Sequence, residues 1–166
     1  MIKSTINHRP LLVAAIAFAG VLATCNAHAV EGMFSGSISE KLKVSGCGKD
    51  TDFTSASTNI KSNKKWSTAT SAGTFSGAYK KKGSRTYLLK LSSKSEKLLM
   101  KNMKNWASDL CGTAVKSLSK FKASIKLKLN KKATKLNGKV KANATGKTKF
   151  GSGKGKYTGK VRMDAI

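Results

Sequence analysis

Apolar residues recur at every second position over most of this chain, and that period restricts the possible folds more than any other feature. A spacing of two puts side chains on one side of an extended strand, so the alternation marks strands with one buried and one solvated face. Phe34, Ile38, Leu42 and Val44 share a parity in the first such segment. Phe75, Gly77 and Tyr79 form a second, Lys80-Lys81-Lys82-Gly83-Ser84 reads as a hairpin turn, and Tyr87, Leu89 and Leu91 line a third. Three further runs follow: Phe121 to Leu129, Leu136 to Ala144 and Tyr157 to Met163, with Asn130-Lys131-Lys132 and Thr145-Gly146 as turns between them. The stretch from Cys47 to Ser71 is rich in Ser, Thr, Asn and Lys and shows no such period. It is expected to be irregular, with room for one short strand and with Phe53, Ile60 and Trp66 as anchors.

One segment breaks the pattern. Leu99, Met103, Trp106 and Leu110 are spaced by four, three and four, which places them on one side of an amphipathic helix over about residues 94–111. Ser93 and Glu96 have the spacing of a capping box, and Gly112 is a suitable stop. The chain is therefore expected to be mainly β: an antiparallel sheet or small barrel of about seven to eight strands, with one helix inserted before the last three or four. Periodicity does not distinguish the closed form from the open one.

The start of the chain reads as an export signal. Lys3 and Arg9 precede an apolar run from Leu11 to Ala23, and small residues stand at Ala27 and Ala29, so residues 1–29 are expected to be removed after Ala29. The run is roughly 13 residues, short of the ~20 that span a bilayer as a helix. A lipobox reading, Leu22-Ala23-Thr24-Cys25 with a lipid on Cys25, is weaker, because Thr stands where Gly or Ala is expected. Residues 30–166 would then form a single β-rich domain, periplasmic or secreted. Cys47 and Cys111 remain as an even pair, and in an oxidising compartment they are expected to form a disulfide.

Cleavage would also remove His8 and His28, both of the chain's histidines. The usual general base and nitrogen metal ligand would then be missing, which argues against Ser-His-Asp, Cys-His and His-zinc chemistry. The SxxK spacings at Ser62–Lys65, Ser117–Lys120 and Ser119–Lys122 are what chance provides in a chain so rich in both residues. Asp50-Thr51-Asp52 offers too few oxygens for a calcium loop and reads as a turn. Gly151-Ser152-Gly153-Lys154-Gly155-Lys156 lacks phosphate-loop spacing and reads as a hairpin tip. No enzyme activity, cofactor or metal is expected. Trp106 and its stripe are most simply core, with a ligand pocket beneath the helix as the sharper alternative.

The charge points elsewhere. Without residues 1–29 the chain keeps 31 basic residues against 7 acidic ones, a net charge of +24. From Lys116 onward there are sixteen basic residues and one acid, Asp164. They occupy the polar parity: Lys120, Lys122, Lys126 and Lys128 in one run, Lys135, Lys139 and Lys141 in the next, Lys156, Lys160 and Arg162 in the last. On neighbouring strands these form one cationic face. Each directly opposed pair would cost about 0.8 kcal/mol at ~5 Å in water, and a dozen such pairs several kcal/mol at low salt. An anionic polymer laid on that face would reverse the sign and release counterions.

The expected function is thus a non-enzymatic exported protein that attaches to an anionic polymer or envelope surface. Extracellular DNA, lipopolysaccharide, acidic polysaccharide and acidic phospholipid all qualify. Lysine is a flexible point charge and not a bidentate fork, and the aromatics fall on the apolar parity, so the binding should be diffuse and without sequence preference. The plainer reading is that lysine only keeps strands soluble and unpaired at edges. Two alternatives are a small β-barrel carrier of an apolar ligand, and a structural or inhibitory envelope protein with an acidic protein partner.

Overall fold

The computed structural model describes residues 32–148 and 151–166; the export segment 1–29 and Cys25 lie outside the described residues. Eight strands and one helix follow in the order β1 (Gly32–Val44), β2 (Gly48–Ile60), β3 (Lys65–Thr70), β4 (Gly73–Lys81), β5 (Thr86–Leu91), α1 (Ser93–Cys111), β6 (Ser117–Leu129), β7 (Lys135–Thr148) and β8 (Gly151–Ala165). Each strand pairs antiparallel with the next, and β8 returns to β1 along a register from Phe34↔Ala165 to Val44↔Gly155. The sheet is a closed barrel, which leaves no free edge along that seam.

The segment expected to be irregular holds β2 and β3. Its period is concealed because hydroxyls stand at inward positions, where Thr58 Oγ1 and Thr68 Oγ1 share a hydrogen bond of 2.8 Å across the two strands. Mutual pairing removes the penalty of burying them. Ile60 and Trp66 are buried as anchors, but Phe53 falls on the outward parity of β2 and is 74% exposed. Asp50-Thr51-Asp52 also lies within β2 and is not a turn. Likewise Thr145-Gly146 lies inside β7, and Gly151-Ser152-Gly153-Lys154-Gly155 opens β8, paired residue by residue from Thr148↔Gly151 to Ala144↔Gly155. Glycine reads as a turn signal, yet it is tolerated in a long ladder whose neighbours hold it in place. The Asn130 turn forms as expected, with Asn130 Oδ1 accepting from the amides of Thr134 and Lys135 at 2.8 and 3.0 Å.

The cap of helix α1 lies one residue before the expected one. Ser92 Oγ accepts from the Ser95 amide at 3.3 Å, so Ser92 is the N-cap in place of Ser93, and Glu96 falls one position too late to close a capping box with it. The Ser92 amide donates instead to Ser76 O on β4 at 2.8 Å, and the Ser95 hydroxyl accepts from the Ser92 hydroxyl at 3.0 Å and from the Ser76 amide at 2.7 Å. Gly112 ends the helix at φ 59°, where a side chain would be strained. Ser95 is 1% exposed, so Ser95→Ala leaves the Ser76 amide without its partner in a dry site. A loss of about 1–3 kcal/mol in a urea melt is expected; an unchanged midpoint would contradict this role.

Strand lengths explain where the helix sits. β3 and β5 have 6 residues each, whereas β1, β2 and β6 have 13, β7 has 14 and β8 has 15. At about 3.3 Å per residue the wall is far lower on the β3–β5 side. The helix fills that notch, packing Leu99, Met103 and Ala107 against Leu42, Val44 and Ala142 at the tall end. A second apolar cluster, including Phe34, Ile60, Tyr87, Leu129 and Leu136, fills the opposite end. Cys47, in the β1–β2 turn, is bonded to Cys111 at the last turn of α1 with 4.9 Å between Cα atoms. Such a bond fits an oxidising, extracytoplasmic environment. Among the described residues no helix is long and apolar enough to cross a membrane.

Candidate functional site

The outer wall of β6, β7, β8 and β1 collects the lysines that the sequence sets on the polar parity. Register aligns Lys126, Lys139 and Lys160 across three adjacent strands. A parallel row runs Lys122, Asn143, Lys156, Lys43 and Lys49 over five strands, and another runs Ser124, Lys141, Thr158 and Lys41. Lys128 and Arg162 flank Asn137 in a further row. Lys41, Lys43 and Lys49 were missed by sequence reasoning, since only the β1–β8 closure brings Lys43 beside Lys156 and Lys41 beside Thr158, with Lys49 following through its pairing with Lys43.

Two of the expected residues stand apart. Lys120 sits in a β-bulge between Ser119 and Lys122, with φ 52°, so it interrupts the alternation instead of continuing it. Lys135 lies opposite Asp164, 3.8 Å away in an exposed ion pair, and its charge is locally offset. The register also spaces the charges more widely than expected. Among the described residues only four opposed pairs join lysine to lysine: Lys126–Lys139, Lys139–Lys160, Lys156–Lys43 and Lys43–Lys49. Asn, Ser and Thr separate the others, so the repulsion is about a third of that a dozen pairs would bring.

Charge is unevenly distributed around the barrel. The outward positions of β2 and β3 beyond Phe53 are uncharged, with Ser55, Ser57, Asn59, Ser67 and Ala69, and Lys65 stands only at a strand end. Lys94, Lys97, Lys101 and Lys104 add a second positive surface on α1.

The barrel interior holds a cavity of about 350 Å³ beneath the helix. Ile38, Leu89, Leu91, Ile125, Val140 and Val161 form much of its wall. Its opening lies where β2 runs above the short β3, between Asp52, the Ser71-Ala72 turn and the α1 residues Asn102, Trp106 and Asp109. Two hydrogen bonds hold the helix across this gap. Asn102 Nδ2 donates to Ala72 O at 3.1 Å, and Trp106 Nε1 donates to Asp50 Oδ2 at 2.7 Å. Trp106 is thus half-buried, packed against the Leu99–Met103 cluster and also lining the cavity.

Acids gather at this opening. Glu40 and Asp52 are directly opposed on β1 and β2 on the inward parity. Burial, together with the nearby Asp52, pushes the Glu40 carboxyl above its ordinary range, although the hydrogen bond from Tyr157 Oη works against the shift. Burial pushes the Tyr157 hydroxyl up as well, and the Glu40 carboxylate adds to it, so Tyr157 remains a donor to Glu40. Asp50 moves the other way: the Trp106 indole and the Thr51 amide both donate to it and hold it below the usual carboxylate range. The Asp50 and Asp52 carboxylates accept from the Thr51 and Phe53 amides at 2.8 and 2.7 Å on a part of β2 that β3 does not reach.

No protein family, curated protein or solved structure matches this chain. Function must therefore be argued from the chemistry of the two surfaces themselves.

Proposed function

We propose that the protein is an exported, non-enzymatic binding protein that attaches to an anionic polymer or envelope surface through the lysine wall of β6, β7, β8 and β1. The observation that carries this reading is the cross-strand register of Lys126, Lys139 and Lys160 beside Lys156 and Lys43, set against the uncharged outward positions Ser55, Ser57, Asn59, Ser67 and Ala69 of β2 and β3. Solubility alone would be served as well by an even scatter of charge. A polyanion neutralises the opposed lysines and releases its counterions, so the association gains where the free fold is repelled. Retention by acidic sugars, phosphates or duplex DNA would follow the same physics, with little dependence on sequence.

Duplex DNA is a convenient probe. Neutralising Lys126, Lys139, Lys156 and Lys160 to Gln should flatten the slope of log affinity against log salt by about 3.6, since each phosphate contact contributes about −0.9. A control with Lys61, Lys64, Lys80 and Lys101 changed to Gln has the same net charge and should keep most of the slope. Equal slopes for the two variants would show that total charge matters and the wall does not.

A second reading, a carrier for an apolar ligand, is favoured by the cavity of about 350 Å³ under α1. That volume is in the lower part of the range of about 300–1,000 Å³ for small-molecule sites. The cavity and the lysine wall occupy different parts of the barrel, so the two activities are compatible.

A further inference from the structure

The cavity's opening has the opposite charge to the rest of the molecule. Glu40, Asp52 and Asp109 line the cavity and Asp50 adjoins it through Trp106, so four of the chain's seven acids are spread along its wall and mouth, with Glu40 and Asp52 directly opposed. Neither lysine nor arginine lines it, in a chain with 33 of them. None of the four acids is ion-paired with a described residue; the pair that forms is Lys135–Asp164, elsewhere on the barrel. With basic side chains in such excess, an acid left to chance would find a lysine. Placing Glu40 opposite Asp52 instead costs stability, as like charges across a ladder do.

We propose that the cavity binds a small organic ammonium with an apolar body, its nitrogen held among the carboxylates at the opening and its carbon skeleton inside the barrel. This rests on the carrier reading and gives it a ligand class; it does not depend on the lysine wall. Aromatic rings reinforce the match. Trp66, Phe75, Trp106 and Tyr157 all line the space, with the Trp106 and Tyr157 rings edge to face at 6.5 Å. Such faces attract a desolvated cation. Tyr157 donates to Glu40 and so orients one carboxylate toward the interior. A metal ion is the weaker fit, because among the described residues no three acid, histidine or cysteine side chains converge as ligands. An anion would meet repulsion from the same acids, and a neutral ligand would leave them unused.

The test compares three ligands of equal chain length, octylammonium, octanol and octanoate, each below its aggregation threshold in 0.15 M salt. Both tryptophans of the chain line the cavity, so intrinsic fluorescence reports occupancy directly. Octylammonium should bind at least tenfold more tightly than octanol, with octanoate weakest. In Asp52→Asn/Asp109→Asn the ammonium should fall to within about threefold of octanol while octanol itself binds as before, which also shows that the variant is folded. If the variant does not fold, the ratio in the unaltered protein decides alone. Equal binding of octanol and octylammonium, or an undiminished ammonium preference in a folded double variant, would overturn the ammonium inference and leave the carrier reading standing. Binding of none of the three would overturn both.

Discussion

Reducing the Cys47–Cys111 bond should lower the stability of the oxidised protein by about 4 kcal/mol. The bond closes a loop between residues 64 apart in sequence, and on the chain-entropy account a loop of that size restricts the unfolded ensemble by roughly this amount. Against a typical domain stability of about 5–15 kcal/mol the loss is large. For a domain of this size it corresponds to a fall in Tm of roughly 12–16 °C. The loss should begin locally, because the bond fastens the last turn of α1 to the β1–β2 turn. Calorimetry with and without reductant, and Cys47→Ser/Cys111→Ser as a thiol-free check, would measure it. Melts that agree within a degree or two would show that packing of Leu99, Met103 and Ala107 holds the helix without covalent help.

A single methyl group on β4 should be nearly as damaging. A Cβ on Gly77 would lie 1.9 Å from the carbonyl oxygen of Lys90, a backbone atom that no rotamer change can move away. Gly77 pairs with Leu91, and the ladder continues one step further through the bond from the Ser92 amide to Ser76 O at 2.8 Å. Moving the two strands apart would therefore also displace the cap of α1. Gly77→Ala is expected to cost at least about 3 kcal/mol, at the upper end for overpacking. Gly155→Ala is the matched control, since its nearest contact would be an ordinary 3.9 Å from Ala144 O. Equal denaturant midpoints for the two variants would show that β4 and β5 yield more readily than a packed ladder should.

Particular residues show what was legible beforehand and why the rest was not. Phe34, Leu42, Tyr87, Leu127 and Leu136 were readable as inward residues because their apolar neighbours repeat at two, and all are buried. Leu99 and Met103 announced the helix in the same way at a different period. β2 was not readable, since Thr54 and Thr58 take core positions and are satisfied by other hydroxyls: Thr54 by Ser71 in the β3–β4 turn, Thr58 by Thr68 on β3. Phe53 misled for the complementary reason, being apolar but on the outward side. The Ser92 cap was missed by one residue, a shift that local spacing does not resolve when Ser92, Ser93 and Ser95 are all capable of capping.

The two candidate surfaces differ in the same respect. The lysines of β6, β7 and β8 stood out as a pattern along the chain, but their neighbours did not. Lys43 lies beside Lys156 only because the first and last strands meet. Of the acids around the cavity only the Asp50–Asp52 pair stood out along the chain, and it read as a turn; Glu40 and Asp109 join it from another strand and from the helix.

By itself the sequence determined which side of each regular strand is buried, where the helix falls and which parity bears the positive charge. Those properties depend on residues a few positions apart, whose spacing fixes direction whatever the fold; the Cys47–Cys111 pair, 64 residues apart, followed instead from the count of cysteines left to bond. Tertiary structure alone decided the closure of the barrel, the rows in which lysines from different strands stand together, and the cavity with its acid rim. Each of these comes from pairing between distant segments and from unequal strand lengths, which leave a gap that the helix only partly fills.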